Sequence, residues 1–332
     1  MAVVYVREQG AVVRKSGERL HVTLRQRALF DIPLANLEQL IVLGNVQITT
    51  PAAVLLMRKG VDVVFMSQRG SYRGRLMLLG SKFAKLRHQQ LRLCDDPERA
   101  LAIAGQIVAG KIANQRVVLQ RRTDPDSRLR GVLGGMADML QAASRARDLE
   151  QLRGFEGRAA ALYFEGMRSF FTPEWGFEQR AYYPPPDPAN ALLSFAYTLL
   201  LKDVEAKIQV VGLDPYLGFF HALGYNRPAL ALDIMEEFRP TIADIVVLTL
   251  VNGGYITPED FERTNDPDLP VRLTDPAIEV LIAAYEERMA DQIFHPLANG
   301  QTDYRRAMEL QVRQMARVVS GEDAQYHALT IR

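Results

Sequence analysis

The stretch "LIVLGNVQITTPAAVLLMRKGVDVVFM", residues 40–66, reads as a strand, a helix and a second strand. Its two short apolar runs, 40–44 and 61–66, suit strands buried on both faces, as in a parallel sheet. Between them Thr50 can cap a helix, Pro51 fits its first turn, and Gly60 stands where a left-handed C-terminal residue belongs. Upstream, Leu20, Val22 and Leu24 alternate with polar neighbours after a turn at Ser16-Gly17-Glu18, the pattern of a half-buried strand. Downstream, "SQRGSYRGRL" (67–76) turns on Gly70 and Gly74. It is no phosphate loop, because the lysine and hydroxyl that finish that motif are missing.

After Lys82 the texture changes to long helical periodicity. Asp96-Pro97-Glu98 is a strong helix start, and a proline-rich elbow at 182–190 opens another helix over 191–201. With 332 residues, two domains are expected. The expected fold is α+β: a small N-terminal β-rich domain over 1–85, a linker over 86–95, and a larger all-helical domain over 96–332. A lone cysteine, Cys94, excludes an intramolecular disulfide and a cysteine-rich zinc module. The start lacks the pattern of a secretory signal, and no apolar run reaches the roughly 18 residues needed to cross a membrane, so a cytoplasmic protein is expected. The chain is nearly neutral, at +1, yet fourteen basic against five acidic residues from Arg69 to Arg130 give that stretch a net +9. Such a run is either a solvated helix surface or an arm that follows phosphates.

Placed on a helix at about 100° per residue, the stretch 153–171 gathers Phe155, Ala159, Ala160, Tyr163, Met167 and Phe170 on one face, with Glu156 inside it. Glu165 falls on the polar face between Arg158 and Arg168. A carboxylate on a core-facing stripe is costly without a cationic partner, so Glu156 requires an arginine, a protonated neighbour or a metal. In "HALGYNRPALALDIMEEF" (221–238), Pro228 and Pro240 bracket a helix of about ten residues. Asp233, Glu236 and Glu237 share its polar side, the usual arrangement for solvated carboxylates, and His221 can fold back over them through the loop 224–228. Oxygen ligands with one imidazole suit Mg²⁺ or Mn²⁺, and such an ion activates a water or hydroxyl at a phosphoryl centre. Arg227 and Arg239 flank the acidic helix and could hold phosphates beside the ion.

Several of these stretches resemble one family, the Cas-one integrase and nuclease of CRISPR adaptation. Residues 42–76 resemble its N-terminal β domain, and "LRGFEGRAAALYF" (152–164) the segment of its first metal ligand, here Glu156. "DPYLGFFHALGYNRPALALDIMEEFRP" (214–240) resembles the segment with its histidine and two acidic residues, here His221, Asp233 and Glu236. "PANALLSFAYTLL" (188–200) places Asn190 in its asparagine-containing helix. The resemblance implies a metal-dependent DNA endonuclease and integrase. Glu156, His221 and Glu236 would hold Mg²⁺ or Mn²⁺, Asp233 would support the cluster, and Arg153, Arg227 and Arg239 would contact DNA. It further implies a homodimer built through the β domain, a Cas-two dimer as partner, and prespacer DNA joined to the CRISPR repeat by 3′-hydroxyl attack. Two other readings of the residues are a catalytically silent DNA-binding scaffold and an unrelated metal-dependent phosphodiesterase.

Overall fold

The computed structural model describes residues 2–68, 72–76, 83–122, 127–181, 184–267 and 270–331. The chain separates into two compact units, Met1–Ser81 and Lys82–Arg332. Arg69, Gly70 and Lys82 of the sequence reading lie outside the described residues.

The first unit holds β1 (Ala2–Val6), β2 (Ala11–Ser16), β3 (Arg19–Leu24), β4 (Arg27–Pro33), β5 (Leu37–Leu43), β6 (Gln47–Ile48), α1 (Thr50–Lys59), β7 (Asp62–Met66) and β8 (Tyr72–Leu76). They form two four-stranded sheets, ordered β1-β5-β7-β8 and β4-β3-β2-β6. The strands β1, β5 and β7 run parallel, so β5 is covered on both faces and reads as the continuous apolar run the sequence displays. Strand β3 alternates as expected, burying Leu20 and Val22. Both sheets close on one core in which Leu40, Val42 and Val63 meet Val13, Leu20 and Val22, with Ala52 and Leu56 from α1. Gly60 ends α1 at φ 71°, where a side chain would be strained. The cap at the other end is Thr49 rather than Thr50, and its hydroxyl does not cap: it donates to Val13 O at 3.3 Å, tying the helix start to β2.

The second unit is mostly helical: α2 (Ala84–Cys94), α3 (Pro97–Arg122), α4 (Ser127–Ala143), α5 (Leu149–Arg168), α6 (Pro188–Val211), α7 (Ala229–Met235), α8 (Ile245–Asn252), α9 (Asp275–Ala290) and α10 (Tyr304–Ser320). Two short antiparallel pairs complete it, β9 (Phe261–Arg263) with β10 (Val271–Leu273) and β11 (Gln292–His295) with β12 (Gly300–Asp303). The stretch 86–95, expected as a linker, lies almost wholly in α2. It is held there by Gln90, whose side chain donates to Asp214 O and Leu217 O at 2.8 and 2.7 Å and accepts from Asp214 N. The single helix expected between Pro228 and Pro240 is shorter. After α7 the chain turns and passes through a π-helical turn, Arg239–Asp244, into α8. Pro240 has no N–H to give an α-helical bond and crowds the preceding turn; the wider π turn accommodates it. No helix among the described residues is long and apolar enough to cross a membrane.

Leu40 is fully buried in the shared core of the first unit. Leu40→Ala is expected to destabilise that unit by about 2–5 kcal/mol, read as an earlier strand-unfolding transition in a urea titration followed by circular dichroism.

Candidate active site

Three parts of the helical unit converge. Helix α5 starts at Asp148, whose carboxylate accepts from Gln151 N at 2.8 Å. Its buried stripe, Leu152, Ala159, Tyr163 and Met167, has Glu156 in register with it, while Glu165 is exposed. The wheel therefore separates the two glutamates correctly, although Phe155 and Phe170 stand at the half-buried edge of the stripe. The cationic partner of Glu156 is a lysine. Lys111, on α3, ion-pairs with Glu156 Oε1 and also lies 2.6 Å from Glu236 Oε2. Its side chain is only 7% exposed. Burial alone would strip its proton, but the Glu236 and Glu156 carboxylates more than reverse that and hold it charged.

The His221 loop is fixed from two sides. Asp233, fully buried on α7, accepts from Phe219 N (2.6 Å), Phe220 N (3.0 Å) and His221 N (2.9 Å). Arg153 of α5 donates to Phe220 O from Nε (3.3 Å) and Nη2 (2.9 Å). The loop lies so close to α7 that a Cβ on Gly218 would stand 2.6 Å from Ala229 C. Asp233 Oδ1 also lies 2.7 Å from His221 Nδ1, which assigns the ring proton to Nδ1 and turns Nε2 towards Glu236 Oε1, 3.6 Å away.

Glu236 has Arg239 on its other oxygen, with Nη1 3.1 Å from Oε1. Burial raises its pKa, but Arg239, Lys111 and His221 outweigh burial and keep it below the usual carboxylate range. Arg239 also stacks over Tyr197, 5.0 Å from the ring centroid. Tyr197 and Tyr163 both donate to Asp244, at 2.6 and 2.7 Å. Asn190, fully buried, connects from behind: it accepts from Arg180 Nη1 (2.8 Å) and Ala181 N (2.9 Å), and Arg180 covers the same Tyr197 ring.

Of the readings open for the three acids after Pro228, the solvated one is excluded: Asp233, Glu236 and Glu237 are 0–2% exposed. Nor do they share a task, because Glu237 turns away to the C-terminal segment. There it accepts from Tyr326 OH (2.6 Å), Gln311 Nε2 (3.1 Å) and Leu329 N, and burial pushes its pKa up to about 7. Among the cations read as phosphate contacts, Arg239 is engaged inside the protein, as are three members of the basic run: Lys111, Arg75 with Asp62 at 2.8 Å, and Arg87 on Gly212 O at 3.2 Å. Arg153 is exposed, and its guanidinium donates to Phe220 O. Arg227 is exposed as well, on the loop that also carries Leu223 and the 96%-exposed Tyr225.

Lys111 is the site residue that sequence reasoning missed. The signal was present, since Lys111 follows the buried Ala104, Ile107 and Val108 and precedes Val118 on one face of α3.

The donor chemistry fits a hard divalent ion: two carboxylates, an imidazole whose Nε2 points at one of them, and a third carboxylate orienting that ring through Nδ1. An ammonium already lies between the two glutamates, and it is the partner of Glu236 Oε2. With Lys111 there, no three His, Cys, Asp or Glu side chains among the described residues stand close enough to form a ready-made cage.

A strand-rich unit followed by a mostly helical unit that buries a cluster of carboxylates and an imidazole defines an α+β protein. The profile described as CRISPR associated protein Cas1 matches residues 4–287. CRISPR-associated endonuclease Cas1 3 of Thermus thermophilus is 39% identical over 336 residues, covering 100% of this chain and 98% of the relative. Among solved structures, the "Cas6-RT-Cas1--Cas2 complex" matches with a TM-score of 0.87 and 25% identity, over 100% of this chain and 36% of that one. A "Casposase bound to integration product" matches with a TM-score of 0.85 and 20% identity, over 98% and 93%. This chain belongs to the CRISPR-associated Cas1 family.

Burial pushes the Asp244 carboxyl up to about 6, against the hydrogen bonds from Tyr197 and Tyr163 and the charges of Arg239 and Arg180. A carboxyl that holds its proton more tightly when folded favours folding at low pH, and that advantage is lost as the pH rises through about 6. Asp244→Asn removes the titration. Relative to this variant, wild type is expected to lose about 3 kcal/mol of stability between about pH 4 and pH 7, measured by denaturant titrations across that range. Parallel curves would contradict the assignment.

Proposed function

We propose that this chain is a metal-dependent DNA endonuclease and integrase of CRISPR adaptation. The observation that carries the reading is the convergence of Glu156 and Glu236 on one buried cation with His221 Nε2 alongside. Glu156, His221 and Glu236 would hold Mg²⁺ or Mn²⁺, which supplies Lewis-acid stabilisation of charge on a phosphoryl oxygen. Asp233 acts as a positioning residue: it sets the ring of His221 and gathers the three backbone N–H groups that shape the loop. Arg153 braces that loop through Phe220 O, and Arg239 keeps Glu236 ionised. Asn190 holds Arg180 over Tyr197 and so supports Arg239 from behind.

The substrate is DNA. A prespacer 3′-hydroxyl attacks a phosphodiester at the edge of the CRISPR repeat, and the displaced 3′-oxygen becomes the leaving group; water in place of the hydroxyl gives hydrolysis. Arg227, exposed on the His221 loop, contacts phosphate. The relative in the Cas1–Cas2 assembly supports a Cas2 dimer as partner, and homodimerisation through the first unit and a cytoplasmic location belong to the same proposal.

A labelled branched DNA incubated with Mn²⁺ or Mg²⁺ tests it, with Cas2 present and absent. Glu156→Ala and His221→Ala are expected to lower strand cleavage and transfer by at least about 100-fold, while Glu165→Ala stays at the wild-type rate. Equal activity in all four proteins would sink the metal site and leave a DNA-binding scaffold.

Arg227→Ala is expected to weaken DNA binding uniformly across sequences and to reduce the slope of log affinity against log salt by about one. An unchanged slope in fluorescence anisotropy titrations would remove Arg227 from the interface.

A further inference from the structure

We infer that Lys111 is a resident counter-cation of the active site, which a divalent ion must displace from between Glu156 and Glu236 in order to bind. The inference rests on the metal-dependent reading above and adds a residue to it.

Three carboxylates meet here, Glu156, Asp233 and Glu236, against two fixed positive charges, Lys111 and Arg239. A divalent ion added beside both cations would leave this buried group with a net positive charge. Departure of the Lys111 ammonium returns it to neutrality, the state a low-dielectric site favours. Arg239 is poorly suited to leave, because its guanidinium is stacked on Tyr197 and its carboxylate neighbour lies three residues away on the same turn. Lysine is suited: a compact charge on a flexible four-carbon stem. The route is also given, since Glu156 is 17% exposed while Glu236 is 2% exposed, so the site opens on the Glu156 side. The ammonium bridge explains why donor types appropriate to a metal are present while no three of them stand at metal-binding distance. It keeps the two glutamates from repelling one another before the ion arrives.

The test measures Mn²⁺ binding to the full chain without DNA, by electron paramagnetic resonance of free Mn²⁺ and by calorimetry. Lys111→Met is expected to bind Mn²⁺ roughly ten- to a hundredfold more tightly than wild type. It should also melt at a lower temperature without the ion and regain that loss on adding it. A merely structural lysine gives the opposite result, weaker binding in the variant. Lys111→Arg guards against misfolding of the first variant: a guanidinium grips both carboxylates more firmly, so Mn²⁺ affinity is expected to fall. Equal or weaker binding in Lys111→Met, or unchanged binding in Lys111→Arg, overturns the displacement while wild-type binding that vanishes in Glu156→Ala keeps the metal site. Absence of Mn²⁺ binding in wild type and Lys111→Met alike overturns both.

Discussion

The ammonium of Lys111 is the interaction on which the rest of the helical unit's site depends. It is one charge shared by two carboxylates from different elements, Glu156 on α5 and Glu236 just after α7, and it comes from a third, α3. Breaking a buried pair by removing one partner costs about 3–5 kcal/mol, because a charge is left without compensation. Three helices are thereby committed to one relative placement. Asn114, three residues along α3 from Lys111, extends the commitment by donating to Glu237 O and Leu329 O and accepting from Ile331 N. One face of α3 thus sets both the acidic turn and the C-terminal segment behind it.

Asp233 solves a different problem. The His221 loop must present its ring in one orientation without a helix to define it. Asp233 does this by accepting three consecutive backbone N–H groups and the Nδ1 proton, so the loop conformation and the ring tautomer are set by the same carboxylate. Its oxygens are thereby fully used. That separates its role from Glu236, whose Oε2 meets only the Lys111 charge, although the two residues lie one helical turn apart and look alike in the sequence.

Much of the fold was legible because the relevant forces are periodic. The parallel β5 and β7 appear as continuous apolar runs, α1 is bounded by Pro51 and Gly60, and the stripe on α5 distinguishes Glu156 from Glu165. The acidic stretch stayed ambiguous for a physical reason. Periodicity shows that Asp233, Glu236 and Glu237 share a polar side, but not that this side faces protein; here it faces His221, Lys111, Arg239 and the C-terminal segment. Lys111 escaped because a basic residue counted within a charge run is treated as surface, whereas its neighbours on α3 are core. The π turn accommodates Pro240, and hydrophobic periodicity carries no signature of it.

Buried ionic clusters seldom add stability over an apolar core of the same volume. Lys111, Glu156, Asp233, Glu236 and Arg239 are therefore an expensive way to join α3, α5 and α7, elements that also bury apolar side chains such as Ile107, Leu152 and Ile234. In the first unit the core between the two sheets is formed by aliphatic side chains with Phe65 packed against it. In the helical unit Asp244 likewise holds two tyrosine hydroxyls and faces Arg239 at the cost of a carboxyl that burial drives towards its neutral form. Charge concentrated in this one region, each member compensated by a partner within it, is what the proposed metal-dependent reading requires.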